Sequence, residues 1–204
     1  MTLFTIGHST RPLEQFLVLL RQHGVEQLID VRTAAGSRRN PQYMKEQLSA
    51  SLVERGIRYL HMKELGGFRK PLPDSPNAAW RNDSFRGYAD YMATPEFQEA
   101  LVQLIGLAAG MPTVIMCAEA VPWRCHRSLI ADALLVRGIE VRHIMSATKT
   151  DIHALRPFAV VEGELVRYPE TLTPQPPLPP AGEGEFSRGT PHGPPSVAGE
   201  GESL

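Results

Sequence analysis

The chain has 204 residues, 42% of them hydrophobic, and a formal net charge of −1 at pH 7. That suits one folded domain with or without a tail, and so small a charge gives no bulk electrostatic case for nucleic acid or a membrane surface. Two cysteines cannot make a disulfide framework, no apolar run approaches the roughly 20 residues of a membrane span, and the N-terminus lacks the basic-then-apolar form of a secretory signal, so a soluble, cytoplasmic protein with no membrane partner is expected.

The first 170 residues read as alternating strands and helices. Leu3 to Gly7 is a short apolar strand. Thr10 can cap the next helix, with Pro12 tolerated in its first turn. Leu13, Phe16, Leu17 and Leu20 then recur at helical spacing until Gly24. Gln27 to Val31 is a second strand. Asn40-Pro41 opens a helix carrying Met44, Leu48 and Leu52, closed by Gly56. Ile57 to Met62 is a third strand, followed by a Gly/Pro-rich loop from Gly66 to Pro76. Phe85, Tyr88 and Met92 mark a helix, and Thr94-Pro95 starts another that carries Phe97, Leu101, Leu104 and Ile105. Thr113 to Met116 is the fourth strand, a helix runs from about Arg124 to Arg137, and Val141 to Met145 is the fifth strand. Phe158 to Val161 and Leu165 to Tyr168, around Glu162-Gly163-Glu164, suggest a small terminal hairpin.

From Thr171 onward the composition changes: eight prolines and six glycines fill 34 positions, with Leu172, Leu178, Phe186, Val197 and Leu204 as the large apolar groups. A loose repeat runs from Pro176-Pro177 to Glu185 and again from Pro194-Pro195 to Glu202. Such a segment buries too little surface to offset its ordering entropy, so a disordered low-complexity tail is expected over 171–204. Without it, the single α/β domain over 1–170 has 20 basic and 18 acidic residues.

Strands separated by helices imply a mainly parallel five-stranded sheet with helices on both faces, a three-layer α/β sandwich. The expected strand order is 3-2-1-4-5. Strands 1 and 4 would be neighbours, and the crevice at their C-terminal ends would be the switch point where open α/β sheets bind ligands. Gly7-His8-Ser9-Thr10 would meet Cys117 and Glu119 there.

The segment Cys117-Ala118-Glu119-Ala120-Val121-Pro122-Trp123-Arg124-Cys125-His126-Arg127 holds both cysteines, a carboxylate, a histidine and two arginines. A strand-end thiol followed by an arginine resembles the anion loops of cysteine-dependent phosphatases and sulfur transferases, where amides and Arg stabilise thiolate and oxyanion. Those loops have five intervening residues; here there are six, and Pro122 removes an amide. Cys117, Cys125, His126, His8 and Glu119 are the candidate catalytic groups, as nucleophile and proton carriers. Arg32, Arg38, Arg39, Arg124, Arg127, Ser9 and Thr10 are the candidate anion ligands. Asp30, Tyr43, Gly66, Gly67 and Tyr91 are further pocket candidates. Alternatively, Cys117 is core, Glu119 pairs with an arginine, and the arginine run is a solvated loop. The spacing C-x7-C-H departs from the short zinc pattern, so neither metal nor other cofactor is expected, although a metal or redox centre stays open.

Thr5-Ile6-Gly7-His8-Ser9-Thr10, Leu28-Ile29-Asp30-Val31-Arg32, Ser37-Arg38-Arg39-Asn40-Pro41, Glu64-Leu65-Gly66-Gly67, Tyr91-Met92, Cys117-Ala118-Glu119 and Cys125-His126-Arg127 occur in one order. In these pieces the chain resembles the domain-of-unknown-function family 488 over residues 1 to about 168. The resemblance implies a compact α/β domain with a polar site built from these segments, and no established reaction. The functional expectation is an enzyme, a hydrolase or transferase, on a small phosphorylated or nucleotide-like anion. A non-catalytic nucleotide or nucleic-acid binding module is the alternative. Oligomeric state is open.

Overall fold

The computed structural model describes residues 1–36 and 39–170. The reading of 171–204 as a tail therefore lies outside the described residues, as does Arg38. Six strands form the main sheet: β1 (Thr2–Gly7), β2 (Gln27–Asp30), β3 (Arg58–His61), β4 (Thr113–Cys117), β5 (Glu140–Ile144) and β6 (Thr150–Ile152), in the order β3-β2-β4-β1-β5-β6. The first five are parallel, and β6 adds antiparallel to β5. The terminal hairpin is present as β7 (Val160–Glu162) and β8 (Leu165–Arg167).

Alternation along the strands divides the core between two faces. Ile6, Leu28, Val114 and Met116 pack with Phe16 and Leu17 of α1 (Leu13–Gln22) and Leu48 and Leu52 of α2 (Lys45–Val53). Leu3, Ile29 and Ile115 pack with Tyr88 of α3 (Asp83–Met92), Leu101 of α4 (Pro95–Ala108) and Leu129 of α5 (Arg127–Leu135). Side-chain oxygens cap two helices where the sequence offers them. Asn82 accepts from the Ser84 and Phe85 N–H groups, and Thr94 from Phe97 N–H.

β1 and β4 are adjacent as expected, but they have exchanged places relative to the order 3-2-1-4-5. Right-handed crossovers put α1 and α2 on one face and α3 to α5 on the other in either order, so handedness does not choose. Two buried polar pairs do. Gln27 Nε2 of β2 donates to Thr113 Oγ1 of β4 at 2.9 Å, and Thr5 Oγ1 of β1 meets His143 Nδ1 of β5 at 2.8 Å. In the expected order another strand would separate each pair, leaving buried polar groups without these partners.

Local boundaries also shift. Pro12 stands at the N-cap position of α1, and Thr10 does not cap it. Pro41–Tyr43 form a single 3-10 turn before α2, which leaves Met44 outside the core, 39% exposed. A second 3-10 turn, Pro122–Arg124, delays α5 to Arg127, so Cys125 precedes the helix rather than lying in its first turn.

Candidate functional site

The β1 and β4 chains stay paired beyond the sheet. His8 N–H donates to Cys117 C=O at 3.0 Å and Ser9 N–H to Ala118 C=O at 2.9 Å. This extension requires Gly7: a Cβ there would stand 1.8 Å from the Glu119 carbonyl oxygen. The two chain segments, about 110 residues apart, therefore form one wall. They border a cavity of about 640 Å³ lined by His8, Ser9, Thr10, Arg32, Cys117, Glu119, Arg124, Cys125 and His126, among others.

Both cysteines are free thiols. The His126 ring lies between them and the sheet: Nδ1 is 3.7 Å from Cys125 Sγ and 3.9 Å from Cys117 Sγ, while Nε2 lies 3.1 Å from Val31 C=O. A carbonyl only accepts, so Nε2 carries a proton and Nδ1 faces the sulfurs. Gly67 leaves room for this ring; a Cβ at that position would lie 3.0 Å from Nδ1.

Arg127 lies beneath the thiols with 1% of its surface exposed. Its Nε donates to Cys125 Sγ at 3.4 Å, Nη1 to Thr5 Oγ1 at 3.4 Å and Nη2 to Glu119 C=O at 2.6 Å. None of the ion pairs among the described residues involves it. A buried guanidinium favours an anion nearby, and the Cys125 sulfur is the ionisable group within its reach. Burial works to raise the Cys125 pKa, but hydrogen bonds from Cys117 and His126 and the charge of Arg127 outweigh it and hold the pKa well below a free thiol's. Cys117 moves the other way. Its hydrogen bond to Cys125, then burial, keep it a thiol.

His8 stacks on Tyr43 with ring centres 4.0 Å apart. Its Nδ1–H donates to Ser9 C=O at 2.7 Å, leaving Nε2 as an acceptor, with Arg32 Nη1 at 3.4 Å. Burial pushes its pKa down to about 4, so it is a neutral base at pH 7. Arg32 is largely committed elsewhere, since Asp30 receives its Nε and Nη2 and Tyr43 C=O accepts from Nη2 at 2.9 Å. Tyr59 O–H completes the Asp30 carboxylate at 2.8 Å.

Of the candidate ligands, Arg124, Ser9 and Thr10 line the cavity, and Arg32 joins them with its charge already paired. Arg127 lies under the wall. Arg39 is exposed and is not among the lining residues. Asp30 and Tyr43 support Arg32 and His8 from below. Gly66 packs against Thr33, and Tyr91 sends its hydroxyl to Glu64 C=O while Arg69 covers its ring. Sequence reasoning did not single out Phe68 and Phe85, which also line the cavity, or Thr5, His143 and His153, which lie behind it. Phe68 offers a signal only in retrospect: it is 90% exposed at a positive φ of 61°.

Cys117, Cys125 and His126 bring three donor atoms within 4.8 Å of one another, a set able to hold a soft metal ion. A dication there would sit against the fixed charge of Arg127, and the guanidinium already supplies the neutralisation a thiolate gains from a metal. The donors are one acidic thiol, one imidazole and one buried guanidinium, the composition of a nucleophilic centre.

A family model described as Domain of unknown function DUF488 matches residues 12–134. That span includes Cys117 to Arg127 and Arg32, and leaves His8, His143 and His153 outside. No curated protein and no solved structure matches the chain.

Proposed function

The chain belongs to the DUF488 family, and from its site we propose that it is a thiol-dependent hydrolase or transferase acting on a small phosphorylated or nucleotide-like anion. One observation carries the reading: Cys125 Sγ stands on the cavity wall, 3.4 Å from a buried guanidinium and 3.7 Å from an imidazole held in place by a backbone carbonyl. Nucleophile, base and orienting group are thus all present.

The chemistry divides into two steps. His126 and Arg127 hold the Cys125 thiolate while its sulfur bonds to the electrophilic centre and the bond to the leaving group breaks, the leaving group taking a proton from solvent. In the second step water, or an acceptor hydroxyl in a transferase, attacks the same centre. His8 Nε2 takes its proton and releases it to solvent, the S–X bond breaks, and the thiolate is restored beside Arg127. Arg124 on the rim, with Ser9 and Thr10, holds the substrate's anion. Glu119, exposed on the same wall, accepts from a hydroxyl or amino group of the substrate.

The test is a screen of phosphorylated metabolites and nucleotides with wild type and Cys125→Ser. Turnover by the wild type, loss in the variant, and a covalent adduct on Cys125 by intact mass after acid quench are expected. An inert wild type with no adduct would end this reading. Equal turnover by both proteins would remove Cys125 as nucleophile.

A further inference from the structure

A line of buried polar side chains runs behind the thiols, away from the cavity. Arg127 Nη1 donates to Thr5 Oγ1 at 3.4 Å. Thr5 Oγ1 is 2.8 Å from His143 Nδ1, His143 Nε2 is 3.0 Å from His153 Nδ1, and His153 Nε2 is 2.8 Å from Asp132 Oδ1. Asp132 is fully buried, and Tyr168 O–H donates to its other oxygen at 2.6 Å. Thr5 and His143 are register partners in β1 and β5 on the α5 face, Arg127 and Asp132 lie on α5, and His153 follows β6.

Proton counting gives this line one direction. A carboxylate accepts, so a neutral His153 donates Nε2–H and keeps a lone pair on Nδ1. His143 must then donate from Nε2 and accept at Nδ1. Thr5 O–H fills that acceptor, and the Thr5 oxygen keeps a lone pair for Arg127. Every donor points from Arg127 towards Asp132. We infer that Thr5, His143, His153 and Asp132 are positioning residues that act on Cys125 through Arg127. A single chain of hydrogen bonds, ending on a buried carboxylate, holds the guanidinium against the thiolate.

Two alternatives are weaker. If the chain existed merely to satisfy polar groups, Thr5 and His143 could pair without reaching Arg127. Arg127 instead is held at all three nitrogens, to Thr5, Cys125 and the Glu119 carbonyl, so its orientation is fixed. A reversed chain would require a proton on both nitrogens of His153 or of His143. Burial drives the His143 pKa down to about 4, which opposes the version with two protons on His143; the version with two protons on His153 would show as an Nδ1–H tautomer at His143. Other charged and titratable groups around the line are Asp151 of β6, Arg156 beyond it and Tyr168 beyond β8.

The inference rests on the thiolate reading for its purpose, but it is tested without turnover. Nitrogen NMR of the full chain at pH 7 is expected to show His143 and His153 both as Nε2–H tautomers. Thr5→Val removes the central link, so the pH midpoint for iodoacetamide alkylation of Cys125 should rise by about one unit. Thr5→Ser keeps the hydroxyl and should restore the wild-type profile. Tyr168→Phe removes a donor to Asp132 without breaking the line and should leave the profile in place. If Thr5→Val does not fold, Asp132→Asn, which removes the terminal charge, should move the midpoint the same way. An Nδ1–H tautomer at His143, an unchanged profile in folded Thr5→Val, or an equal shift in Tyr168→Phe would overturn the inference. Expected shifts in a protein inert to every substrate would instead sink the enzyme reading and leave the line standing.

Discussion

Gly7→Ala tests how the site is assembled. The added Cβ would stand 1.8 Å from Glu119 O, 2.7 Å from Glu119 C and 2.8 Å from Arg127 Nη2. Ordinary contact requires about 3.5 Å, so the loop after β4 must move by roughly 1.5 Å. Two of the three atoms are backbone, so no flexible side chain can absorb the clash. Overpacking of a close-fitted interior costs about 1–3 kcal/mol, more where backbone is forced to move. About 3 kcal/mol in a domain of this size lowers Tm by roughly 6–12 °C. The same displacement takes the Glu119 carbonyl away from Arg127, which it holds at 2.6 Å, so Cys125 alkylation at pH 7 should slow as well. Gly106→Ala is the matched control: Gly106 lies inside α4 with nothing within 4 Å of its would-be Cβ, and alanine should stabilise by about 1 kcal/mol. The assays are thermal unfolding by circular dichroism and alkylation followed by mass. A Gly7→Ala protein with wild-type Tm and wild-type thiol reactivity would refute the packing described between β1 and the Cys117–Arg127 loop.

Arg127→Met should raise the Cys125 alkylation midpoint by about 2 pKa units: at 3.4 Å and an effective dielectric of about 20, a point charge contributes up to roughly 5 kcal/mol, and delocalisation over the guanidinium about halves this. A midpoint within half a unit of wild type would count against the charge argument. His8 and His143 are both held neutral by burial, with pKa values down to about 4 from 6.5. Between pH 6.5 and 4 the unfolded chain binds protons the folded one does not, so stability should fall with decreasing pH by up to about 1.4 kcal/mol per unit for each group, then level off below 4. Urea unfolding at pH 7, 6, 5 and 4 measures this, and a flat series would contradict it. Gly67→Ala should shift the His126 ring by a few tenths of an ångström and slow Cys125 alkylation with little loss of Tm; unchanged alkylation would separate His126 from the thiolate.

Local chemistry and the meeting of β1 with β4 were legible in the sequence; most side-chain juxtapositions were not. The strand and helix pattern gave the mainly parallel sheet of five strands but not the sixth, antiparallel Thr150–Ile152, and Cys125-His126-Arg127 stood out because three reactive types are consecutive. The neighbouring of β1 and β4 followed from chain reversal. Their exchange of places did not, because it turns on the pairs Gln27–Thr113 and Thr5–His143, whose members are 86 and 138 residues apart. The same holds for the line from Thr5 to Asp132. No spacing rule connects residues 5, 127, 132, 143 and 153, which meet only once the sheet has formed. Arg32 looked like an anion ligand because charge alone was visible; Asp30, two residues earlier, takes most of its hydrogen-bonding capacity. Pro122 was read as a missing amide, and its further effect, a 3-10 turn that holds Cys125 out of α5, needed the backbone to be seen.

The most direct measurement is the order of alkylation of the two thiols in the native chain at pH 6.5, mapped by peptide mass. The account predicts that Cys125 reacts first, that Cys117 stays unmodified on the same timescale, and that pyrophosphate in the cavity slows the reaction. Modification of Cys117 ahead of Cys125, or equal reactivity of both at the rate of free cysteine, would contradict it.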